Sequence, residues 1–190
     1  MPAFAEETLR DRQWVERIQG GDDRAFETMF RVYYPRLCRF VCHYVKSLEI
    51  AEEIVQDIFL AIWENRERWN PVGRVRTYLY RAAKNRALNH LKHYRIENRF
   101  RRMRLVLKEE SQSTPDEALQ NKELLAAIEQ GIEALPERCR LIFTMHRQEG
   151  LTYTEIAEIL DISIKTVETQ MGRALKSLRN RLQSFLPFSD

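Results

Sequence analysis

Between residues 66 and 104 the sequence sets 13 lysines and arginines against Glu67 and Glu97, a net charge of +11 in 39 residues. Cations at that density suit a polyanion, because each one placed near a phosphate releases condensed counterions. Aromatic rings are threaded among them, with Trp69 ahead of Arg76-Thr77-Tyr78-Leu79-Tyr80-Arg81. Such interleaving suits single-stranded nucleic acid: cations follow the backbone while bases stack on ring faces, at ~1–3 kcal/mol per base. Arg81, Lys84, Asn85, Asn89 and Lys92 sit at offsets of three, four, eight and eleven, within about 140° of one helix face at 3.6 residues per turn. Two plainer readings stay open. The run could be a solvated helix face, and Tyr78 and Tyr80 could be amphipathic core residues.

A second group lies near the C-terminal end, where Lys165, Thr166, Glu168, Thr169, Gln170, Gly172 and Arg173 share the outer face of an expected helix. Arg can bind guanine, Glu can accept from cytosine N4, and Lys or Thr can hold phosphate. An ordinary helical hairpin with a charged face is the alternative. Catalytic patterns are missing: no Ser/His/acid grouping, phosphate-binding glycine loop or HExxH is present. No catalytic residue, cofactor or enzymatic activity is expected. Cys38, Cys42 and His43 supply too few ligands for a zinc site. The cysteines, Cys139 included, read as small buried hydrophobes.

These groups need helices to position them. From Asp22 to about Lys46, apolar residues from Phe26 to Tyr44 recur at three and four positions, with Pro35 an expected kink or junction. A second helix is expected from about Ile50 to Arg66, with Ile54, Val55, Ile58, Phe59, Ile62 and Trp63 on one face. Residues 69–73 read as a loop. A third helix is expected from about Arg76 to Tyr94, with Leu79, Ala82, Ala83, Ala87, Leu88 and Leu91 inward. Residues 95–123 turn polar and read as a linker, although Thr114-Pro115-Asp116-Glu117 looks like a capping box.

The C-terminal module, residues 124–186, begins with a helix over 124–134 and a second opened by Pro136. Thr152-Tyr153-Thr154-Glu155 is a capping box that starts a short helix with Ile156, Ala157 and Leu160 inward. Asp161-Ile162-Ser163 forms a turn, and Ser163 caps a helix from Ile164 to about Leu182. Val167, Met171, Ala174, Leu175, Leu178 and Leu182 are expected to be buried there. Together these make a helix-turn-helix.

Composition agrees with helices. Only six glycines and six prolines in 190 residues, with 31% charged, argue against a sandwich or barrel. The longest uncharged stretch is eight residues, Leu182 to Ser189, far below the ~18 a membrane span needs. Glu6 and Glu7 follow Met1–Ala5 at once, so a secretory signal is not expected. Three cysteines cannot all pair, and reduced thiols in a cytoplasmic setting are the default. The expected fold class is all-α: two small helical domains, residues 22–94 and 124–186, joined by the 95–123 linker.

Four stretches in this order resemble one family over about Asp22 to Leu182. They are Ala51-Glu-Glu-Ile-Val-Gln-Asp-Ile-Phe59, Thr77-Tyr-Leu-Tyr-Arg-Ala-Ala-Lys-Asn-Arg-Ala-Leu-Asn89, Leu135-Pro-Glu-Arg138 and Gly150-Leu-Thr-Tyr-Thr-Glu-Ile-Ala-Glu-Ile-Leu160. The last is followed by Thr166-Val167 and Arg173-Ala174-Leu175. The chain is similar to the extracytoplasmic-function (ECF) sigma factors, the minimal two-domain form of the major bacterial sigma family. The resemblance implies a region 2 helical bundle and a region 4 helix-turn-helix, acting in promoter-specific transcription initiation.

It implies further that Glu53, Gln56, Asp57 and Trp63 bind the clamp helices of the largest subunit of core RNA polymerase. The second-largest subunit's flap would be a further contact. Trp69, Arg76, Tyr78, Tyr80, Arg81, Lys84, Asn85 and Asn89 would open and read the −10 element, with a base flipped into the loop at 66–75. Lys165, Thr166, Glu168, Thr169 and Arg173 would serve the −35 element, while Gly172 has no side chain to read with. An anti-sigma factor is an implied partner, able to hold the chain at the inner membrane. Two competing readings are a stand-alone helix-turn-helix regulator that binds duplex DNA as a dimer, and a helical interaction module that binds RNA nonspecifically.

Overall fold

The computed structural model describes the backbone of residues 2–101 and 127–182, and the side chains of residues 10–94 and 127–182. The chain divides into two compact units, residues 1–103 and 104–190. The capping box expected at Thr114 and most of the expected linker lie outside the described residues. Among the described residues, no helix is long and apolar enough to cross a membrane.

The first unit holds α1 (Pro2–Gln19), α2 (Asp23–Val45), α3 (Leu48–Glu64), a 3-10 turn (Arg66–Arg68) and α4 (Val75–Arg101). Asp22 caps α2, accepting from the Ala25 N–H at 3.0 Å, and pairs with Arg17 at 2.7 Å. Ser47 caps α3 after Lys46 takes the left-handed conformation that ends α2. α2 packs on α3 and α4, and α1 on α2. The shared core draws Met29, Tyr33, Leu37 and Val41 from α2, each four residues from the last, with Val55, Phe59, Leu79 and Ala83 facing them. That four-residue step keeps one side chain above another on the same helix face.

Three expectations need correction here, and one helix is additional to them. No junction falls at Pro35: α2 runs on through it, because Pro35 and Arg31 are exposed and water can take up the carbonyl that proline leaves without an N–H partner. α1 was not anticipated as a helix, yet Trp14 and Ile18 are buried in the core. α4 continues to Arg101, seven residues past its expected end and into the segment read as linker. Leu88 is 44% exposed rather than inward; it falls on the outer face between Lys84 and Arg81.

The second unit holds α5 (described from 127, ending at 133), α6 (Glu137–Arg147), α7 (Tyr153–Leu160) and α8 (Ile164–Arg181). The capping box forms: the Glu155 N–H donates to Thr152 Oγ1 at 3.3 Å, and the Thr152 N–H to Glu155 Oε2 at 2.9 Å. Asp161 turns the chain at φ 58°, and Ser163 Oγ accepts from the Thr166 N–H at 3.1 Å. Ile142, Met145, Ile156, Ile159, Val167 and Met171 fill the core. Ile159 takes the inward place expected of Leu160, and Leu175 is 40% exposed. At Gly131 a Cβ would come within 2.9 Å of Leu178 Cδ2, so α5 and α8 approach closely there and a larger residue would require the Leu178 side chain to shift.

Candidate nucleic-acid interface

In the first unit the loop 69–75 leads into α4. Gly73 adopts φ +80°, a conformation open to glycine, and turns Val72 outward until it is 86% exposed. Below the loop, α3 and α4 border a cleft of about 390 Å³, whose polar wall comprises Asn65, Arg68, Asn70, Tyr78 and Arg86. Trp69 backs it, edge-on to Tyr78 with ring centroids 6.1 Å apart. A flat ring, two amides and two guanidinium groups can stack and hydrogen-bond a single base.

Along α4, Arg81, Asn85 and Asn89 are exposed, while Arg76 and Lys84 are half-buried. Two rings expected to meet bases are placed differently. Tyr80 is 2% exposed and packs edge-on against Phe40 at 5.0 Å, since it shares the inward stripe of Ala83 and Ala87. Trp69 is 5% exposed, and its indole N–H makes no hydrogen bond. Tyr78 alone of the three keeps a partly open face.

The acidic face of α3 lies beside this surface. Glu53, Gln56 and Asp57 are exposed; Asp57 reaches Arg86 of α4 at 3.4 Å, and Gln56 donates to the Tyr34 hydroxyl at 3.3 Å. Trp63 is half-buried, 4.9 Å from the Phe26 ring, with the Arg66 guanidinium 4.6 Å above it. Burial raises the pKa of the Tyr34 hydroxyl. Burial likewise raises that of the Cys38 thiol. All three cysteines are free, with Cys38 and Cys139 buried and Cys42 half-buried. Among the described residues no cluster of metal-ligating side chains occurs.

On α8, Lys165, Glu168, Thr169 and Arg173 are exposed on one side, around an open space at Gly172. Lys165 pairs with Glu168 at 3.6 Å, and the Thr169 hydroxyl donates to the Lys165 carbonyl at 2.8 Å. Thr166 is half-buried and shares a 2.8 Å hydrogen bond with Ser163, so it serves the turn. Gln170, expected on the outer face, turns inward and accepts from Cys139 Sγ at 2.8 Å.

Two residues escaped the sequence reading. Asp11 and Gln19 of α1 bond the ends of the 69–75 loop. No sequence signal links them to partners 64 and 50 residues away.

Residues 29–96 match the family described as Sigma-70 region 2, and residues 125–178 match Sigma-70, region 4. The ECF RNA polymerase sigma-E factor of Escherichia coli is 30% identical over 95% of this chain and 98% of its own length. The chain belongs to the ECF sigma factors. The Haemophilus influenzae sigma-E factor is 29% identical over 95% of this chain and 99% of its own.

Solved structures share the fold of this sigma factor. One is the sigma factor RpoE in complex with the anti-sigma factor NepR from Bartonella quintana, with a TM-score of 0.60, 17% identity and coverage of 83% of this chain and 96% of that one. Another is CnrH in complex with the cytosolic domain of CnrY, with a TM-score of 0.57, 21% identity and coverage of 92% and 98%.

Proposed function

We propose that this sigma factor directs core RNA polymerase to promoters through two surfaces of one chain. The 69–75 loop, the cleft beneath it and the exposed Arg81, Asn85 and Asn89 of α4 open and read the −10 element. Tyr78 offers the stacking face, and the cleft takes the flipped base. Trp69 and Tyr80 support the surface from within, rather than touching bases. The exposed side of α8 reads the −35 element, with Arg173 and Glu168 at base edges and Lys165 at phosphate.

Glu53, Gln56, Asp57 and the edge of Trp63 dock the clamp helices of the polymerase's largest subunit. The second-largest subunit's flap receives the second unit. Polymerase performs the chemistry, and this chain contributes no catalytic group. An anti-sigma factor, able to hold the chain at the inner membrane, is a further partner, suggested by the complex with NepR in which a related fold was solved.

One observation carries the reading: an amide-and-cation cleft suited to a single base and a capped helix-turn-helix occur in one chain. Promoter opening needs both. In run-off transcription, core polymerase with this chain should start at a defined site, while core alone should not. Tight binding to a duplex operator, with no start site on any template, would instead favour a stand-alone regulator.

A further inference from the structure

α1 holds the 69–75 loop by its two ends. Gln19 Nε2 donates to the Trp69 carbonyl at 3.0 Å, and the Val75 N–H donates to Asp11 Oδ2 at 3.0 Å in a buried setting. Asp11 and Gln19 are eight residues apart on one helix, hence about 12 Å apart along its axis at 1.5 Å per residue. Between the two bonds, α1 and the loop stand apart around a groove of about 710 Å³, with Arg12 and Glu16 on one side and Pro71 and Gly73 on the other.

The bond at Val75 has a second meaning. Val75 opens α4, and the first N–H groups of a helix have no partner within it. In α2, α3, α7 and α8 the residue directly ahead supplies the cap. Here a carboxylate 64 positions earlier in the chain accepts from the first N–H. α1 is itself immobilised from its other side. Trp14 and Ile18 are buried, and Trp14 meets Tyr33 of α2 edge-on with centroids 6.1 Å apart.

We propose that α1 is the positioning element for −10 readout: Asp11 and Gln19 fix the two ends of the loop and so set which base the cleft accepts. The inference rests on the assignment of loop and cleft to the −10 element. A loop fixed before DNA arrives spends less ordering entropy on binding, and that saving goes to the base that fits its preset shape.

The test uses the full chain with core polymerase on the promoter identified by start-site mapping, at fixed salt. Bubble templates carrying the matched or a single mismatched −10 base compete, and core affinity is measured in parallel. Gln19→Ala and Asp11→Ala should each lower the matched-to-mismatched ratio about tenfold, the scale of one lost hydrogen bond. Core affinity should hold, and Asp11→Asn, which keeps an acceptor for the Val75 N–H, should restore most of the ratio.

Should Asp11→Ala fail to fold, Gln19→Ala and Asp11→Asn decide the matter. A wild-type ratio that survives in folded Gln19→Ala overturns the proposal alone, as does a parallel fall in ratio and core affinity. A wild-type ratio of one on every template overturns the −10 assignment and this proposal with it.

Discussion

The surfaces proposed to read DNA in the two units are held in place by different means. In the second unit, the caps that start α7 and α8 each span three residues, Thr152 with Glu155 and Ser163 with Thr166, and one longer bond, from Cys139 Sγ to Gln170, ties α8 to α6. In the first unit the loop depends on side chains 50 and 64 residues away. A locally built surface tolerates change elsewhere in the chain. A surface braced at a distance transmits it.

Damage to the core should break this contrast most severely. Leu37 is fully buried where α2 meets its neighbours, so Leu37→Ala should cost ~2–5 kcal/mol. Urea unfolding should show the first unit destabilised and −10 opening lost, while the second unit keeps its own transition. A single transition shifted as a whole would mean that the units do not unfold separately.

Arg173→Ala tests the local surface. It should cost ~1–3 kcal/mol at one −35 position and relax preference there. Equal loss across all −35 sequences would make Arg173 a phosphate contact. Thr152→Ala removes the cap of α7 and should cost ~0.5–2 kcal/mol, read as a lower thermal midpoint for the second unit with the first unchanged. A shift in both would deny the independence of the local construction.

The smallest expected effect concerns acid. The Ala25 N–H, then the Arg17 guanidinium, holds the Asp22 carboxyl below its ordinary 3.8. A carboxylate with a depressed pKa stabilises the fold above its unfolded value, and that contribution fades as pH falls through the folded one. Asp22→Asn keeps a capping oxygen but cannot titrate. Unfolding midpoints between pH 5 and 3 should therefore fall slightly less steeply in the variant than in the wild type, and identical slopes would remove Asp22 from the acid response.

The same contrast explains what was legible in the sequence. The helix-turn-helix could be read because Thr152, Glu155 and Ser163 declare their capping roles within three residues of their partners. The Ile159–Leu160 exchange arose because α7 has only eight residues, two turns, and its packing on α8 sets the final phase. Tyr80 carried a signal that its chemistry masked: spacings of three and seven to Ala83 and Ala87 mark an inward stripe. Asp11 carried none, since pairing with Val75 depends on the tertiary fold. The exposed acids of α3 and cations of α4 were readable as types, whereas the Asp57–Arg86 pair that joins them was not.

Gly172 leaves a blank in the recognition surface. A Cβ there would meet nothing within 4 Å, and the backbone is helical, so any side chain shorter than the groove is deep could be added without displacing a neighbour. Alanine would also strengthen the helix by about 1 kcal/mol. On the proposed −35 assignment, that position would leave one base pair of the target unread, and a single substitution could enlist it while every existing contact is retained.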